Sequence, residues 1–146
     1  MPTFGRWKYG VDREATLHAY AQVERGGSAR CDCAGCRNFR LARARVFPAE
    51  FLALLDSLGI DPVKDAEVYR SGRVETDTHQ YGGWYHFVGS LEETGDFPTV
   101  DFGGGFSAWM CRATAPSLSS LKALPTVQVE FLATAVPWLL DEPEPQ

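Results

Sequence analysis

Tyr81-Gly82-Gly83-Trp84-Tyr85-His86-Phe87-Val88-Gly89 is the stretch that decides the fold, because a run this aromatic is typical of a β-strand and not of a surface helix. It lies within a longer segment, His79 to Leu91, that we interpret as one strand. Ala66 to Ser71 predicts a strand before it, and polar residues separate the two. Further along the chain, apolar and polar residues alternate in Phe106 to Cys111 and in Val127 to Ala133, which predicts two more strands.

The N-terminal half predicts one additional strand and a helix. Apolar residues alternate with polar or amphipathic ones over Thr16 to Val23, which favours a strand, and Arg25-Gly26-Gly27-Ser28 interrupts the pattern. Arg37 to Val46 is rich in helix-forming residues, and we expect Phe39 and Leu41 to point toward one side of that helix.

Phe47 to Gly59 contains the clearest helix of the sequence. Pro48 is suited to its first turn, and Gly59 is a typical residue for its end. The spacing of its large apolar residues predicts one face that packs in the core. These residues are Phe51, Leu52, Leu55 and Leu58.

Several strands in succession with helices grouped early predict an α+β fold, with a mostly antiparallel sheet and one or two helices packed on one face. Glycines at Gly95-Asp96-Phe97-Pro98 and Gly103-Gly104-Gly105 indicate turns. We expect residues 1–146 to form a single globular domain, with an acidic C-terminal tail, residues 141–146, that frays.

Composition places the chain among ordinary globular proteins. With 146 residues, 45% of them hydrophobic and 23% charged, it is long enough to bury a core without disulfides or a metal. The N-terminus lacks the pattern of a signal peptide, and no apolar run approaches the length of a membrane span. We therefore expect a cytoplasmic protein without a membrane partner, whose cysteines stay reduced.

Charge divides the chain into a basic and an acidic part. Residues 1–50 hold nine Lys and Arg against five Asp and Glu, whereas residues 51–146 hold five against fourteen. A sequence pI near 5.1 argues against nucleic acid as the main partner. The acidic part predicts a protein partner with a basic surface, whose association should slow when Glu92 and Glu93 are reversed in charge.

Three cysteines within six residues, Cys31-Asp32-Cys33-Ala34-Gly35-Cys36, form the strongest candidate site. Closely spaced thiolates repel each other unless a cation compensates them, so the spacing predicts a soft metal ion, zinc first. We expect Cys111, the only other cysteine, to be the fourth ligand of a tetrahedral ion, and the alternatives are one of the histidines His18, His79 and His86, or water. The alternative is that the three cysteines are small residues packed in a tight loop.

Cys31 to Arg37 also resembles the Cys-His-Cys-x-x-Cys-Arg zinc segment of glutathione-dependent formaldehyde-activating enzymes, and the resemblance implies that the three cysteines bind zinc. The chain lacks that family's other cysteine pairs, and Asp32 replaces the histidine, so the activity is not carried over. A broader pattern resembles small uncharacterised bacterial proteins. Its segments are Cys36-Arg37-Asn38-Phe39, Leu58 to Pro62, Tyr81 to Gly89 and Val136 to Leu139.

No complete set of nucleophile, base and oxyanion donors is visible in the sequence. We therefore expect a non-enzymatic, protein-binding module with a structural zinc site, comparable in size and acidity to bacterial immunity proteins and antitoxins, with an exposed apolar patch around Tyr81 to Tyr85. The alternative is a zinc-dependent enzyme or small-molecule carrier, in which Cys31, Cys33 and Cys36 leave an open metal position and His86 assists.

Overall fold

A seven-stranded antiparallel sheet and three helices make up the computed structural model, which describes residues 1–92, 97–113, 116 and 118–146. This architecture confirms the predicted α+β class with an antiparallel sheet. The described elements are β1 (Thr3–Phe4), β2 (Trp7–Val11), α1 (Arg13–Ala21), α2 (Ala34–Val46), α3 (Ala49–Leu58), β3 (Glu67–Glu75), β4 (Thr78–Leu91), β5 (Val100–Gly103), β6 (Phe106–Arg112) and β7 (Thr126–Pro137).

Strand β4 is the centre of the sheet. The strand order is β1-β2-β4-β7-β6-β5, and β3 also pairs with β4. One edge of β4 is paired with β7 from Thr78 to Val88. The other edge pairs with β3 over its first half and with β2 only from Gly89 to Leu91, so a gap separates the two partner strands.

Helix α1 fills this gap with two side chains one turn apart. The Tyr20 hydroxyl donates to the carbonyl of His86 (2.7 Å) and accepts from its N–H (3.3 Å). The Thr16 hydroxyl accepts from the N–H of Val88 (3.0 Å), and the Asp12 N–H donates to the Val88 carbonyl (2.8 Å). Helix α1 thus supplies the hydrogen bonds that a neighbouring strand would otherwise make, as buried backbone groups require.

Helices α2 and α3 pack on one face of the sheet through aromatic rings. Phe39 of α2 lies 5.9 Å from Phe131, and Phe51 of α3 lies 4.8 Å from Phe106 between ring centroids. Phe47, between the two helices, contacts Phe131 at 5.1 Å in an edge-on arrangement. These rings form the centre of the core and pack α2 and α3 against the sheet.

The predicted positions of both helices are confirmed, with two errors of orientation. Helix α3 ends at Gly59 in the left-handed conformation (φ 83°), where glycine is favoured. Phe51, Leu55 and Leu58 are buried, but Leu52 is 38% exposed. In α2, Phe39 is buried while Leu41, two residues further along, is 56% exposed, because residues two apart do not share a helix face.

The strand predicted over Thr16 to Val23 is wrong, because these residues belong mostly to α1. The Asp12 carboxylate caps this helix by accepting from the Ala15 N–H (3.0 Å). The buried residues of the helix are Thr16, Ala19 and Tyr20, which have helical spacing, and the alternating Leu17 and Ala21 are exposed.

The turn predicted at Gly103-Gly104-Gly105 joins β5 to β6, and all three glycines have positive φ. The turn predicted at Gly95 to Pro98 falls partly outside the described residues. We expected polar residues to separate the strands that correspond to β3 and β4. Strand β3 continues to Glu75 and includes most of these polar residues. No helix within the described ranges is long and apolar enough to cross a membrane.

Candidate metal site

The three clustered cysteines converge at the N-terminus of α2. Their sulfur atoms all lie within 4.8 Å of one another, and Cys31 and Cys33 are 3.1 Å apart. Tetrahedral zinc with Zn–S bonds of about 2.3 Å separates its sulfur ligands by roughly 3.8 Å. The Cys31–Cys33 separation is shorter than that value and no separation exceeds 4.8 Å, so the three thiols lie close enough together to share one metal ion.

Cys33 is the capping residue of helix α2, and this fixes the direction of its side chain. The Cys33 sulfur accepts from the backbone N–H of Cys36 at 3.4 Å. Residues Ala34 and Gly35 fill the first turn, so Cys36 follows on the helix while Cys31 precedes it in extended backbone. The Cys-x-Cys-x-x-Cys spacing therefore brings its three thiols together by forming a helix cap.

Two arginines of α2 hold the backbone of the cysteine loop. Arg40 donates to the Cys31 carbonyl at 2.9 Å and also to the Ser28 carbonyl, and Arg37 donates to the Asp32 carbonyl at 2.9 Å. Each arginine turns back along the chain to a carbonyl that precedes the helix. Two of the arginines in the basic part of the chain, residues 1–50, thus hold the backbone beside the thiols.

A buried carboxylate anchors the segment before the cluster. Asp65 is fully buried and accepts from the Ser28 hydroxyl (2.5 Å) and the Ser28 N–H (3.0 Å). The Gly27 N–H donates to the Asp65 carbonyl (2.8 Å). Nothing in the sequence pattern pairs Ser28 with Asp65, since they are 37 residues apart, yet this contact fixes where the cysteine loop begins.

The pKa values of two of the thiols are shifted in opposite directions. The N–H of Cys36 and, next, the Cys31 side chain lower the pKa of Cys33, because both stabilise its thiolate. Burial raises the pKa of Cys36, and its hydrogen bonds with Cys31 and Cys33 raise it further. A metal cation would offset this burial penalty, because a coordinating thiol is deprotonated.

Cys111, the predicted fourth ligand, lies elsewhere in the fold. It is on β6, which β7 and β4 separate from β3, the strand beside the cluster. Its thiol donates to the Glu130 carboxylate at 3.6 Å, and burial raises its pKa to about 12. The structure brings Cys31, Cys33 and Cys36 together and does not bring Cys111 to them.

The histidines considered as fourth ligands are also engaged or distant. His18 is exposed on α1. His79 is buried between Glu144 (2.7 Å from Nε2) and Arg70 (3.3 Å from Nδ1). His86 is buried beside Gln128 (2.9 Å). In the described part of the chain no other cysteine, histidine or carboxylate joins the three thiols.

A pocket of about 430 Å³ opens beside the cluster. Tyr81 lies on its wall and donates from its hydroxyl to the carbonyl of Gly35 at 2.8 Å. This contact ties the sheet to the first turn of α2. The lining residues are Cys31, Cys33, Ala34, Gly35, Cys36, Val68, Tyr69, Arg70, Tyr81 and Pro145. The three thiols therefore face a space that is mostly apolar and large enough for a small ligand.

The acidic tail reaches this region. Glu142 forms a two-pronged ion pair with Arg37, which lowers the pKa of the Glu142 carboxyl. Glu144 contacts His79 and also accepts from the Asp77 N–H at 2.8 Å. Because Pro145 lines the pocket, the tail segment that we expected to fray borders the candidate site.

The apolar patch predicted around Tyr81 to Tyr85 is wrong for both tyrosines, which are fully buried against the helices. Of the three aromatic residues in this stretch, Trp84 is the one that lies on the other face of the sheet, where it is half-buried. Alternation along a strand directs neighbouring residues to opposite faces, so a run of aromatic residues cannot expose all of its members.

The chain matches no known protein-family model, no curated protein and no solved structure. No relative supplies a function for the site, so its chemistry is inferred from its geometry.

Proposed function

We propose that this protein binds one zinc ion through the thiolates of Cys31, Cys33 and Cys36. The observation that carries the proposal is the convergence of all three sulfur atoms within 4.8 Å at a helix N-terminus. The positive end of the helix dipole and the Cys36 N–H both favour negative charge on the Cys33 sulfur. Sulfur ligands in this number are typical of zinc among the metals available to proteins.

The ion would retain one position for a ligand that the protein does not supply. Protein donors fill all positions of structural zinc sites, whereas sites with three protein ligands leave one for water or substrate. Among the residues that the structure describes, no fourth donor joins the thiols, and the pocket lies against them. The proposed role is thus a zinc site whose fourth ligand is water or a small molecule held between Tyr81 and Arg70.

The test compares two cysteine variants that differ only in location. Cys33→Ser removes a proposed ligand, and Cys111→Ser removes the one cysteine outside the cluster. We expect about one zinc per chain by elemental analysis in the natural protein and in Cys111→Ser, and none retained in Cys33→Ser. Cobalt substitution should add thiolate charge-transfer absorption in the first two proteins and not in the third.

Equal metal content in Cys33→Ser and the natural protein would overturn the proposal, as would loss of metal from Cys111→Ser with its fold intact. Absence of zinc and of cobalt absorption from the reduced natural protein would do the same. Circular dichroism of each variant separates loss of a ligand from loss of the fold.

A further inference from the structure

The sheet face opposite α2 and α3 carries a row of aromatic and acidic side chains. Strand pairing places Trp84 of β4 directly opposite Glu130 of β7, and Glu130 directly opposite Trp109 of β6. Directly opposed residues of antiparallel strands point to the same face. Phe131, the next residue on β7, packs against the helices, so these three side chains lie on the other side. We call this arrangement the tryptophan face.

The spacing of the three side chains suits a flat or compact cation. Neighbouring strands lie about 4.8 Å apart, so the two tryptophans are separated by roughly 10 Å with the carboxylate between them. A guanidinium or ammonium group above the carboxylate would then be within reach of both indole rings. All three side chains are only half-buried, so they remain accessible.

The Glu130 carboxylate has no cationic partner within the described residues. Its Oε1 atom accepts from Gln128 (2.6 Å) and from the Cys111 thiol (3.6 Å), and both donors are neutral. No hydrogen bond or ion pair to Oε2 occurs in the same part of the chain. A cationic ligand would supply the counter-charge that this half-buried carboxylate lacks within the described residues.

Neighbouring positions on the tryptophan face have the same character. Glu67 is paired with Trp84, and Tyr69, 41% exposed, lies 6.2 Å from the Trp84 ring. Asp101 is paired with Ser107 in the adjoining row. Three rows of paired residues on this face contain no lysine or arginine. These rows are Glu67–Trp84–Glu130–Trp109, Tyr69–Gly82–Leu132–Ser107–Asp101 and His86–Gln128–Cys111. Charge complementarity therefore selects a basic occupant.

We propose that the tryptophan face docks a basic segment of a protein partner, with an arginine or lysine side chain of that segment seated on Glu130 between Trp84 and Trp109. Arginine fits best, because its planar guanidinium both stacks on indole rings and pairs with a carboxylate. This site lies on the other side of the sheet from α2, whose N-terminus holds the cysteine cluster, and it does not depend on metal.

The experiment titrates the full chain with a hexa-arginine peptide and, as a neutral match, with hexa-citrulline. Glu130→Gln removes the charge and keeps an acceptor for Gln128. Glu50→Gln makes the same charge change at an exposed position of α3 and is the matched control. We expect hexa-arginine to bind and hexa-citrulline not to, about tenfold weaker binding in Glu130→Gln, and less than about a twofold change in Glu50→Gln.

A second measurement locates the contact. The indole N–H signals of Trp84 and Trp109 in nitrogen-15 spectra should shift on titration, whereas that of buried Trp7 should not. The proposal is overturned if hexa-arginine fails to bind, if both charge variants weaken binding equally, or if the indole signals of Trp84 and Trp109 stay in place. Equal weakening would indicate attraction to an acidic protein without a site.

Glu93, one of the two acidic residues expected to contact the partner, lies outside the described residues.

Discussion

Tyr20→Phe removes a single oxygen atom and tests how helix α1 completes the edge of strand β4. The Tyr20 hydroxyl serves both the carbonyl and the N–H of His86, at 2.7 and 3.3 Å, and both residues are buried. Phenylalanine would fill the same space but leave two backbone groups unpaired. Each buried, unpaired group costs about 1 to 3 kcal/mol, so the loss of both partners should lower the free energy of unfolding by about 2 to 6 kcal/mol.

Denaturant unfolding measures this change, and hydrogen exchange locates it. The His86 amide should exchange faster in the variant than in the natural protein, because its acceptor is gone. Tyr69→Phe is the matched control: Tyr69 is 41% exposed, and we expect its loss of a hydroxyl to cost less than about 0.5 kcal/mol. A Tyr20→Phe protein with the stability of Tyr69→Phe and an unchanged His86 amide would refute the reasoning.

Two further predictions concern the core and its pH dependence. Leu55→Ala, at a fully buried position of α3, should lower the free energy of unfolding by about 2 to 5 kcal/mol in a denaturant melt. Leu52→Ala, at a position 38% exposed, should lower it much less, and equal losses would contradict the orientation of α3. Burial lowers the pKa of His86 below its ordinary value of 6.5, so as the pH falls below 6.5 the unfolded chain binds a proton that the folded chain resists. The free energy of unfolding should therefore decrease as the pH falls through this range, and His86→Gln should reduce that decrease. Parallel pH profiles for the natural protein and His86→Gln would exclude this contribution.

The central strands and the second and third helices could be predicted because their side-chain patterns match their burial. Strands β6 and β7 alternate over enough residues to be recognised, and Gly59 marks the end of α3. The strand prediction over Thr16 to Val23 is wrong because Leu17, Ala19, Ala21 and Val23 alternate by chance over a short stretch of a helix and the residues that follow it. The Asp12 cap was the local signal that favoured a helix. Strands β1 and β5 have two and four residues, too few for any periodicity to be visible.

The candidate site was predictable only where its residues are close in sequence. The spacing of Cys31, Cys33 and Cys36 indicated a cluster because a helix cap can join them locally. Cys111 looked equally available, but its distance from the cluster depends on strand order, and the sequence does not state that β7 and β4 lie between β6 and β3. The same limit hid the tryptophan face, since Trp84, Glu130 and Trp109 become neighbours only through strand register.

The location of the three thiols also bears on what a bound ion would contribute. A metal that joins distant elements stabilises a fold by closing a long loop. The stabilisation from loop closure increases with the length of the loop, so it is small for a loop as short as Cys31 to Cys36. The core formed by α2, α3 and the sheet contains no member of the cluster except Cys36 at its edge. The loop itself is already held by Arg37, Arg40 and the Ser28–Asp65 contact. An ion at this position would therefore act chiefly on what enters the adjoining pocket, and its removal would change the loop before it changed the fold.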